Sequence, residues 1–542
     1  MARQISSPLG LKACKDLGGL FYGHLDRLTV LGQSQKMNTS EVIKMRAIKA
    51  VAKSCRSGVW MALLLVPVAW TKEPAVRQVQ SIASQSAIDP KALPAHIVQL
   101  LQKAGISLGS LSVMVKEVPM PTALASSAQE ELPILSHLAT QLRTPASLMK
   151  LVTTQAALDM LGPHYIWKTD VFITGPIRPT GVLEGDVILR GGLDPKMTVE
   201  NATHLLQKLR SMGVQKIQGD VLIDKGLFEA PDKDPGQFDG EPLRPYNVFA
   251  DALLINFNAL LVSFTPDPLS GVAHIDVEPR MKGLTYTKQV PLTYANCLDY
   301  RQELKANFSQ ALDLKFNGTF AASCGSKIWP LAFSKPKEFT QRALGGIWQN
   351  LGGEIAGSFK LGGLPAKATL LWSENSLPLS DVVKDMNKFS NNVMAQHLFL
   401  SLSMGLSTGV NERDSREMVQ KWWREKISLT PLHIEQGSGL SREERVSAQG
   451  LTDLLSYAWL SPYMPELISS LPITGLDGTL KKNQGTAFAH LKTGSLRDVN
   501  AIAGFVQGRQ QKRYILVAIL NDPKAKEGGA VLQGLMEWVA NR

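Results

Sequence analysis

The chain has 542 residues, of which 44% are hydrophobic and 19% are charged. This length predicts two or more domains, and the composition excludes a disordered or fibrous protein. The net charge is +11, but residues 1–75 carry 11 Lys/Arg and 4 Asp/Glu, a net charge of +7, which leaves +4 for the remainder. Because the basic excess belongs mostly to the amino terminus, we infer no nucleic-acid function from it.

The amino-terminal residues predict an export signal. Basic residues in 44–58 precede an almost wholly apolar run of 12 residues at 59–70. Such a run is too short for a comfortable membrane span and matches the apolar region of a signal peptide. We therefore expect a leader over 1–75 and a periplasmic protein. An uncleaved anchor with peripheral membrane association is the alternative.

The first predicted elements after the leader are a helix, a strand and a second helix. Helical spacing of apolar residues covers about 81–104, and an alternating, β-branched pattern predicts a strand at 111–116. The stretch 144–161 then shows near-helical apolar spacing and is free of glycine. Pro145 suits the first turn of that second helix.

Ser147 and Lys150 lie three residues apart on this second helix, so they share one face. A lysine so placed can serve a serine nucleophile, and the positive end of the helix favours the serine alkoxide. An isolated S-x-x-K is usually a chance match, and Ser334 to Lys337 repeats the spacing with a proline that a helix interior excludes. Ser147 and Lys150 therefore indicate a catalytic site only if partner motifs follow in the chain.

Residues 165–362 have a different pattern of short strands and helices. We predict strands at 170–174, 181–189 and 219–224, a helix at 199–212, a polar loop at 231–245, strands through 253–316 and a helix at 339–351.

Two partner motifs follow in order. A predicted helix at 377–387 leads to Ser390-Asn391-Asn392, and the chain's only K-T-G is Lys492-Thr493-Gly494. This series matches the S-x-x-K, S-x-N and K-T-G set of penicillin-recognising enzymes. A decoy S-x-N at 373–375 lies among loop-forming residues. For the tail we predict a hairpin turning at 509–513 with the K-T-G on its first strand, and a closing helix at 527–539.

The motifs lie far apart: Ser147 and Ser390 are separated by 243 residues. This distance predicts a catalytic domain split by inserted material. The predicted division is a leader at 1–75, a catalytic domain at 80–164 and 363–542, and an inserted region at 165–362 that comprises two small domains, 165–235 and 236–362.

The cysteines and histidines suggest a disulfide and no metal. Outside the leader only Cys297 and Cys324 remain. They can bond in an oxidising compartment, and two buried free thiols are the alternative. The nine histidines are scattered without H-E-x-x-H or paired C-x-x-C spacing. We expect no metal and no other cofactor.

Beyond the three motifs, the chain resembles the class C low-molecular-mass penicillin-binding proteins of the penicillin-binding protein 4 type, which are D-alanyl-D-alanine carboxypeptidases and endopeptidases. The likeness covers roughly residues 85–542. The resemblance implies an α/β (multidomain α+β) fold: a penicillin-binding domain with an antiparallel sheet flanked by helices and interrupted by inserted mixed domains. The stretches that carry the likeness are 185–228 (including 191–195 and 217–224), 437–442 and 471–479.

Three positions depart from the family pattern: Asn391 and Gln436 stand where Asp is frequent, and Ser495 where Thr is usual. None removes a catalytic group. We expect Ser147, Lys150, Ser390 and Asn392 to be catalytic and Lys492, Thr493, Gly494 and Ser495 to bind substrate.

Lys150 has to be neutral to accept the serine proton. Burial and the like charge of Lys492 are expected to lower its pKa. Backbone N–H groups of Ser147 and Ser495 are expected to form the oxyanion hole.

Recognition of the rest of the substrate rests on the resemblance. It implies that Leu440 and Arg442 line a pocket for the peptide side chain and that Asp239 or Glu241 binds its amine, with a solvated loop as the alternative. The expected partners are peptidoglycan stem peptides ending in D-Ala-D-Ala and inhibitory β-lactams.

Two other functions are weighed against this one: a serine β-lactamase, and a silent wall-binding protein. Asp194, Asp477 and His490 are expected to be structural.

Overall fold

The computed structural model describes residues 93–119, 132–228, 230–406 and 409–542. The predicted export signal lies outside these residues. In this part of the chain, no helix is both long enough and apolar enough to cross a membrane. All of these residues belong to one compact unit, 87–542, and the division into domains stays a prediction.

The helices are numbered in chain order. They are α1 Ala95–Ala104, α2 Met149–Leu161, α3 Val199–Ser211, α4 Tyr300–Glu303, α5 Pro336–Asn350, α6 Leu379–Phe389, α7 Asn392–Ser401, α8 Glu412–Trp422, α9 Ala448–Leu460, α10 Met464–Ser470 and α11 Gly529–Ala540.

The strands are numbered in the same way. They are β1 Leu111–Glu117, β2 Leu135–His137, β3 Leu142–Arg143, β4 Lys168–Ile173, β5 Val182–Leu183, β6 Val187–Arg190, β7 Lys216–Ile217, β8 Val221–Asp224, β9 Ala259–Asp267, β10 Val272–Glu278, β11 Thr285–Tyr286, β12 Gln289–Thr293, β13 Ala306–Asn307, β14 Asp313–Phe316, β15 Phe320–Ala321, β16 Lys327–Ala332, β17 Glu354–Ile355, β18 Phe359–Leu361, β19 Thr369–Asn375, β20 Val446–Ser447, β21 Ala489–Leu496, β22 Val499–Gln507 and β23 Arg513–Asn521.

A five-stranded antiparallel sheet joins the two ends of the described chain. Its order is β2-β1-β23-β22-β21, and every neighbouring pair is antiparallel. Alternate residues of a strand point to opposite faces. Accordingly, Ala501, Ala503 and Phe505 join the core that contains α2 and α9. Ile502 and Val506 join the core that contains α1 and α11. Helices therefore cover both faces.

The helix that follows Ser147 lies in the middle of one of these cores. Every residue from 149 to 158 is buried, which is typical of a helix surrounded by protein. Its polar side chains have partners: Thr153 Oγ1 donates to the carbonyl oxygen of Gly437 at 2.6 Å, and Thr154 Oγ1 accepts from Asn387 Nδ2 at 3.1 Å. The start of α2 is therefore held in place on several sides.

Residues 168–375 form two further five-stranded sheets, ordered β18-β8-β6-β4-β19 and β15-β12-β10-β9-β16. Residues of α3 and α5 share one core with both sheets. Strand β19 pairs antiparallel with β4. The sheet that begins just after 165 therefore continues past 363, the predicted point of return to the catalytic domain.

The predicted hairpin in the tail was wrong in one respect. The K-T-G strand β21 ends at Leu496, and a two-residue turn at Arg497 and Asp498 leads into β22. The hairpin that turns near residues 509–511 joins β22 to β23 instead. The turn after Leu496 contains neither glycine nor proline, so the sequence lacked the usual turn signal.

The structure confirms the predicted disulfide between Cys297 and Cys324. We expect that replacing both cysteines with serine lowers the free energy of unfolding by about 3 to 4 kcal/mol, because the bond restricts a long loop of the unfolded chain. Urea unfolding of the oxidised proteins measures this difference. Reductant should destabilise the wild type by a similar amount and leave the double variant unchanged. Equal stability of the two oxidised proteins would contradict the prediction.

Candidate active site

Ser147 and Lys150 meet at the start of α2. Ser147 lies in a single 3-10 turn, Ala146–Leu148, that leads directly into the helix. The amine of Lys150 donates a hydrogen bond to Ser147 Oγ at 3.0 Å. The spacing that the sequence placed on one helical face therefore brings the two groups into direct contact.

The Lys150 side chain is fully buried and has three hydrogen-bond acceptors. Besides Ser147 Oγ, its amine contacts Asn392 Oδ1 at 2.7 Å and the carbonyl oxygen of Ser438 at 2.5 Å. Burial lowers the pKa of Lys150 to about 7, and the charge of Glu444 opposes this shift. A large fraction of the amine is therefore neutral near neutral pH, the form that can accept a proton.

The repulsion between the two lysines affects the pKa of Lys492 and not, as we expected, the pKa of Lys150. Burial and then the charge of Lys150 hold the pKa of Lys492 well below its ordinary value. The expected influence of burial on Lys150 is confirmed, but the repulsion between the two lysines lowers the pKa of Lys492 instead.

Ser390-Asn391-Asn392 forms the junction between α6 and α7. Ser390 ends α6 with a left-handed φ of 56°, and its Oγ accepts a hydrogen bond from Lys492 Nζ at 2.8 Å. The side chain of Asn391 accepts from the backbone N–H of Met394 at 3.0 Å and so caps α7. Asn and Asp are equally good caps, so the departure from the family at this position keeps the local structure.

The K-T-G motif lies on β21, an edge strand of the antiparallel sheet, beside the Ser147 turn. Lys492 is fully buried. A Cβ atom on Gly494 would lie 2.6 Å from the carbonyl oxygen of Pro145, so only glycine permits this close approach. Thr493 shares a 2.8 Å hydrogen bond with Thr479, and Ser495 is exposed. The three motifs thus converge.

The residues predicted to recognise the rest of the substrate lie in two segments. Leu440 is half-buried, and its carbonyl oxygen accepts from Gln436 at 2.7 Å. Arg442 is exposed; it pairs with Asp498 and lies 5.1 Å from the centre of the Phe238 ring. Arg442 therefore reaches both the turn after the K-T-G strand and the 231–245 loop.

The predicted amine-binding residues lie on that loop. Asp239 accepts hydrogen bonds from Tyr246 and Asn247, and Glu241 pairs with exposed Arg244 at 3.3 Å. The loop reaches the site through the carbonyl oxygen of Tyr246, which accepts from Asn392 Nδ2 at 3.2 Å. The roles of Asp239 and Glu241 stay predictions.

Sequence reasoning missed four residues in this site: Ser438, Glu444, Thr479 and Tyr246. Two of the contacts are made by backbone carbonyl oxygens, which any residue type supplies. The glycines beside Ser438 were the available signal. Gly439 has φ of 84°, and a Cβ there would lie 2.0 Å from the carbonyl oxygen of Ala146. The segment can approach the Ser147 turn only because Gly439 has no side chain.

The decoy S-x-x-K and S-x-N motifs are not part of this site. The residues expected to be structural make ion pairs or hydrogen bonds with other parts of the fold. Lys337 pairs with Asp232, and 373–375 is part of β19. Asp477 pairs with Lys388 at 2.6 Å, and a nitrogen of His490 lies 3.2 Å from the carbonyl oxygen of Ile468. Burial raises the pKa of Asp194 to about 6. Among the residues that the structure describes, no cluster of His, Cys, Asp or Glu could hold a metal ion.

These motifs, arranged around an antiparallel sheet, define a penicillin-recognising serine enzyme. The chain belongs to the D-Ala-D-Ala carboxypeptidase 3 (S13) family, which matches residues 116–542. The predicted enzyme class, a serine-type D-Ala-D-Ala carboxypeptidase, is thereby confirmed.

Two relatives have similar sequences. The D-alanyl-D-alanine carboxypeptidase DacB of Haemophilus influenzae is 26% identical over 437 residues, which cover 77% of this chain and 88% of that protein. The D-alanyl-D-alanine carboxypeptidase of Actinomadura sp. (strain R39) is 25% identical over 397 residues, 67% of this chain and 71% of that protein.

The fold is also found in a solved structure. Penicillin binding protein 4 (dacB) from Haemophilus influenzae has a TM-score of 0.65 at 21% identity; the match covers 83% of this chain and all of that one. A second structure of that protein, complexed with a β-lactam, has a TM-score of 0.61. The predicted fold class is confirmed.

Proposed function

We propose that this protein removes the terminal D-alanine from peptidoglycan stem peptides, or cuts the equivalent D-Ala cross-link, through an acyl-enzyme on Ser147. The observation that carries the proposal is the 3.0 Å contact between Ser147 Oγ and the buried amine of Lys150. With its pKa near 7, this amine can take the serine proton as the oxygen attacks the substrate carbonyl.

The other motif residues complete the acylation step. The attack forms the Ser147 ester and breaks the peptide bond, so the departing amine needs a proton. Ser390, held by Lys492, donates it, and the proton on Lys150 restores the Ser390 hydroxyl. Asn392 holds the Lys150 amine. Water then hydrolyses the ester by the reverse sequence of proton transfers.

Lys492 and Thr493 bind the terminal carboxylate of the substrate. An incoming carboxylate stabilises the ammonium form of Lys492 and so raises its depressed pKa. Thr493 adds a hydroxyl donor, and Gly494 lets the substrate backbone lie beside the strand. Backbone N–H groups of Ser147 and Ser495 stabilise the oxyanion, each by about 3 to 4 kcal/mol.

Several features of the substrate and location belong to the same proposal. Leu440 and Arg442 contact the peptide side chain, and Asp239 or Glu241 contacts its amine. The enzyme acts in the periplasm, and β-lactams acylate Ser147 as substrate analogues. The peptide bond that is cut, terminal or cross-linking, distinguishes carboxypeptidase from endopeptidase action.

The decisive experiment digests purified muropeptides with the wild type and with Ser147→Ala, and follows D-alanine release and cross-link loss by mass spectrometry. We expect both products to depend on Ser147, with residual activity lower by about 10⁴-fold or more. Equal activity of the variant would refute the proposal. Rapid turnover of penicillin would identify a β-lactamase instead. Retained peptidoglycan binding without labelling by fluorescent penicillin would identify a silent wall-binding protein.

A further inference from the structure

A buried glutamate lies behind the active site. Glu444 has no exposed surface, and its Oε1 accepts three backbone N–H hydrogen bonds. The donors are Glu435, Gln436 and Gly437, at 3.1, 3.3 and 3.2 Å. Three successive N–H groups directed at one oxygen form a nest that suits a carboxylate. A single side chain therefore holds the backbone at 435–437, the first part of the segment 435–439, which we call the glutamate-held loop.

The glutamate-held loop contacts the lysine of the S-x-x-K motif and the backbone beside its serine. The carbonyl oxygen of Ser438 accepts from the Lys150 amine, and Gly439 lies against the Ala146 carbonyl beside Ser147. Thr153 of α2 donates to the carbonyl oxygen of Gly437. A shift of this loop would therefore displace an acceptor of the base.

The charge of Glu444 also acts on this site. Its other oxygen, Oε2, is buried and has no hydrogen-bond partner among the described residues. The charge of Glu444 raises the pKa of Lys150. Burial raises the pKa of Glu444 itself and Glu435 adds to this, whereas the three N–H donors lower it.

The other ionisable groups around this pair are few. Lys492 faces the pair from β21, and burial and the charge of Lys150 lower its pKa. Arg445 contacts the backbone carbonyl oxygen of Glu444. The Glu444 carboxylate therefore influences Lys150 in two ways: it positions the loop that carries the Ser438 carbonyl oxygen, and its charge raises the pKa of the amine.

We propose that Glu444 is a positioning residue for the acylation step: its carboxylate holds the Ser438 carbonyl against the Lys150 amine and places a negative charge behind that amine. This inference rests on the proposed function of Lys150 as the base. It gives a role to a residue outside the three motifs, one that touches neither the nucleophile nor the substrate.

Two substitutions separate geometry from charge. Glu444→Ala removes the acceptor of three N–H groups, and we expect the plateau acylation rate to fall by about 100-fold, because small displacements of catalytic groups have effects of this size. Glu444→Gln keeps an acceptor oxygen and removes the charge, so we expect a loss below about tenfold.

The pH dependence is the second readout. Acylation requires neutral Lys150, so its rate rises with pH through the pKa of that amine. Without the Glu444 charge, the protonated amine is less stable and its pKa falls. The acylation rate of Glu444→Gln, plotted against pH, should therefore begin to rise at a lower pH than that of the wild type. We expect this acid limb to be shifted by at least about half a pH unit.

The measurement is stopped-flow acylation by a fluorescent penicillin across the titration range of Lys150, with active-site titration to count competent molecules. Asp194→Asn is the matched control: Asp194 is also a buried carboxylate that accepts a backbone N–H, from Lys196 at 2.8 Å. It should keep the wild-type acid limb.

If Glu444→Ala does not fold, the comparison of Glu444→Gln with the wild type still tests the proposal. Coincident acid limbs for Glu444→Gln and the wild type would overturn the proposal. An undiminished plateau rate in folded Glu444→Ala would do so as well. Absence of any acylation in the wild type would overturn the proposed function together with this inference.

Discussion

Replacing Lys150 with methionine should lower the acylation rate by about 10²- to 10⁴-fold, the range expected when a general base is removed. Methionine preserves most of the side-chain volume in a fully buried position. The loss therefore reports the missing amine and its three hydrogen bonds, to Ser147, Asn392 and Ser438.

The wild type supplies a second test of the same role. Because burial lowers the pKa of Lys150 to about 7, the neutral fraction of the amine increases as the pH rises through 7. The acylation rate should therefore have an acid limb near pH 7, which the Lys150→Met variant lacks. Stopped-flow labelling with fluorescent penicillin measures both effects.

The chain contains its own control for this substitution. Lys337 completes the decoy S-x-x-K with Ser334, and its amine pairs with Asp232 at 3.3 Å. Lys337→Met should acylate at the wild-type rate with an unchanged acid limb. Equal losses for Lys150→Met and Lys337→Met, or wild-type acylation of Lys150→Met, would contradict the assigned role.

Replacing Lys492 with methionine should lower kcat/KM for a peptide with a free D-Ala carboxylate by about 10²- to 10³-fold. Truncating one partner of a buried charge pair costs about 2 to 5 kcal/mol, or about 30- to 5,000-fold, and the expected loss lies in the middle of that range. The lysine is fully buried beside Ser390, so solvent screens the pair only weakly.

The peptide itself provides the control for Lys492. A substrate with a C-terminal amide lacks the carboxylate, so its hydrolysis should be slow in the wild type and little changed by Lys492→Met. Mass spectrometry of D-alanine or D-alaninamide release measures both substrates. If the variant lost the same factor on both, Lys492 would act through Ser390 or the local fold and not through the carboxylate.

Local sequence patterns were reliable where the structure depends on neighbours along the chain. The spacing of Ser147 and Lys150 requires only a helical turn, and that turn is present. The helices predicted at 199–212 and 377–387 were found at Val199–Ser211 and Leu379–Phe389. The turn after Leu496 was missed, because Arg497 and Asp498 include neither glycine nor proline, the strongest turn signals.

The environment of the base could not be predicted from local patterns. Ser438 lies 288 residues after Lys150, yet its carbonyl oxygen contacts the Lys150 amine. Backbone carbonyl oxygens carry no residue signature, and burial is a property of the folded chain. The influence of Glu444 on the pKa of Lys150 therefore appeared only with the structure.

Local sequence was enough to identify the type of chemistry available to this protein: two serines, two lysines and an asparagine in three short motifs, each shaped by its own helix or strand. Only the tertiary structure decided the distances between those motifs, the burial of both lysines and the loop that Glu444 holds behind the base. The physical reason is that hydrogen bonds and pKa shifts depend on separations in space. Packing sets those separations between segments hundreds of residues apart.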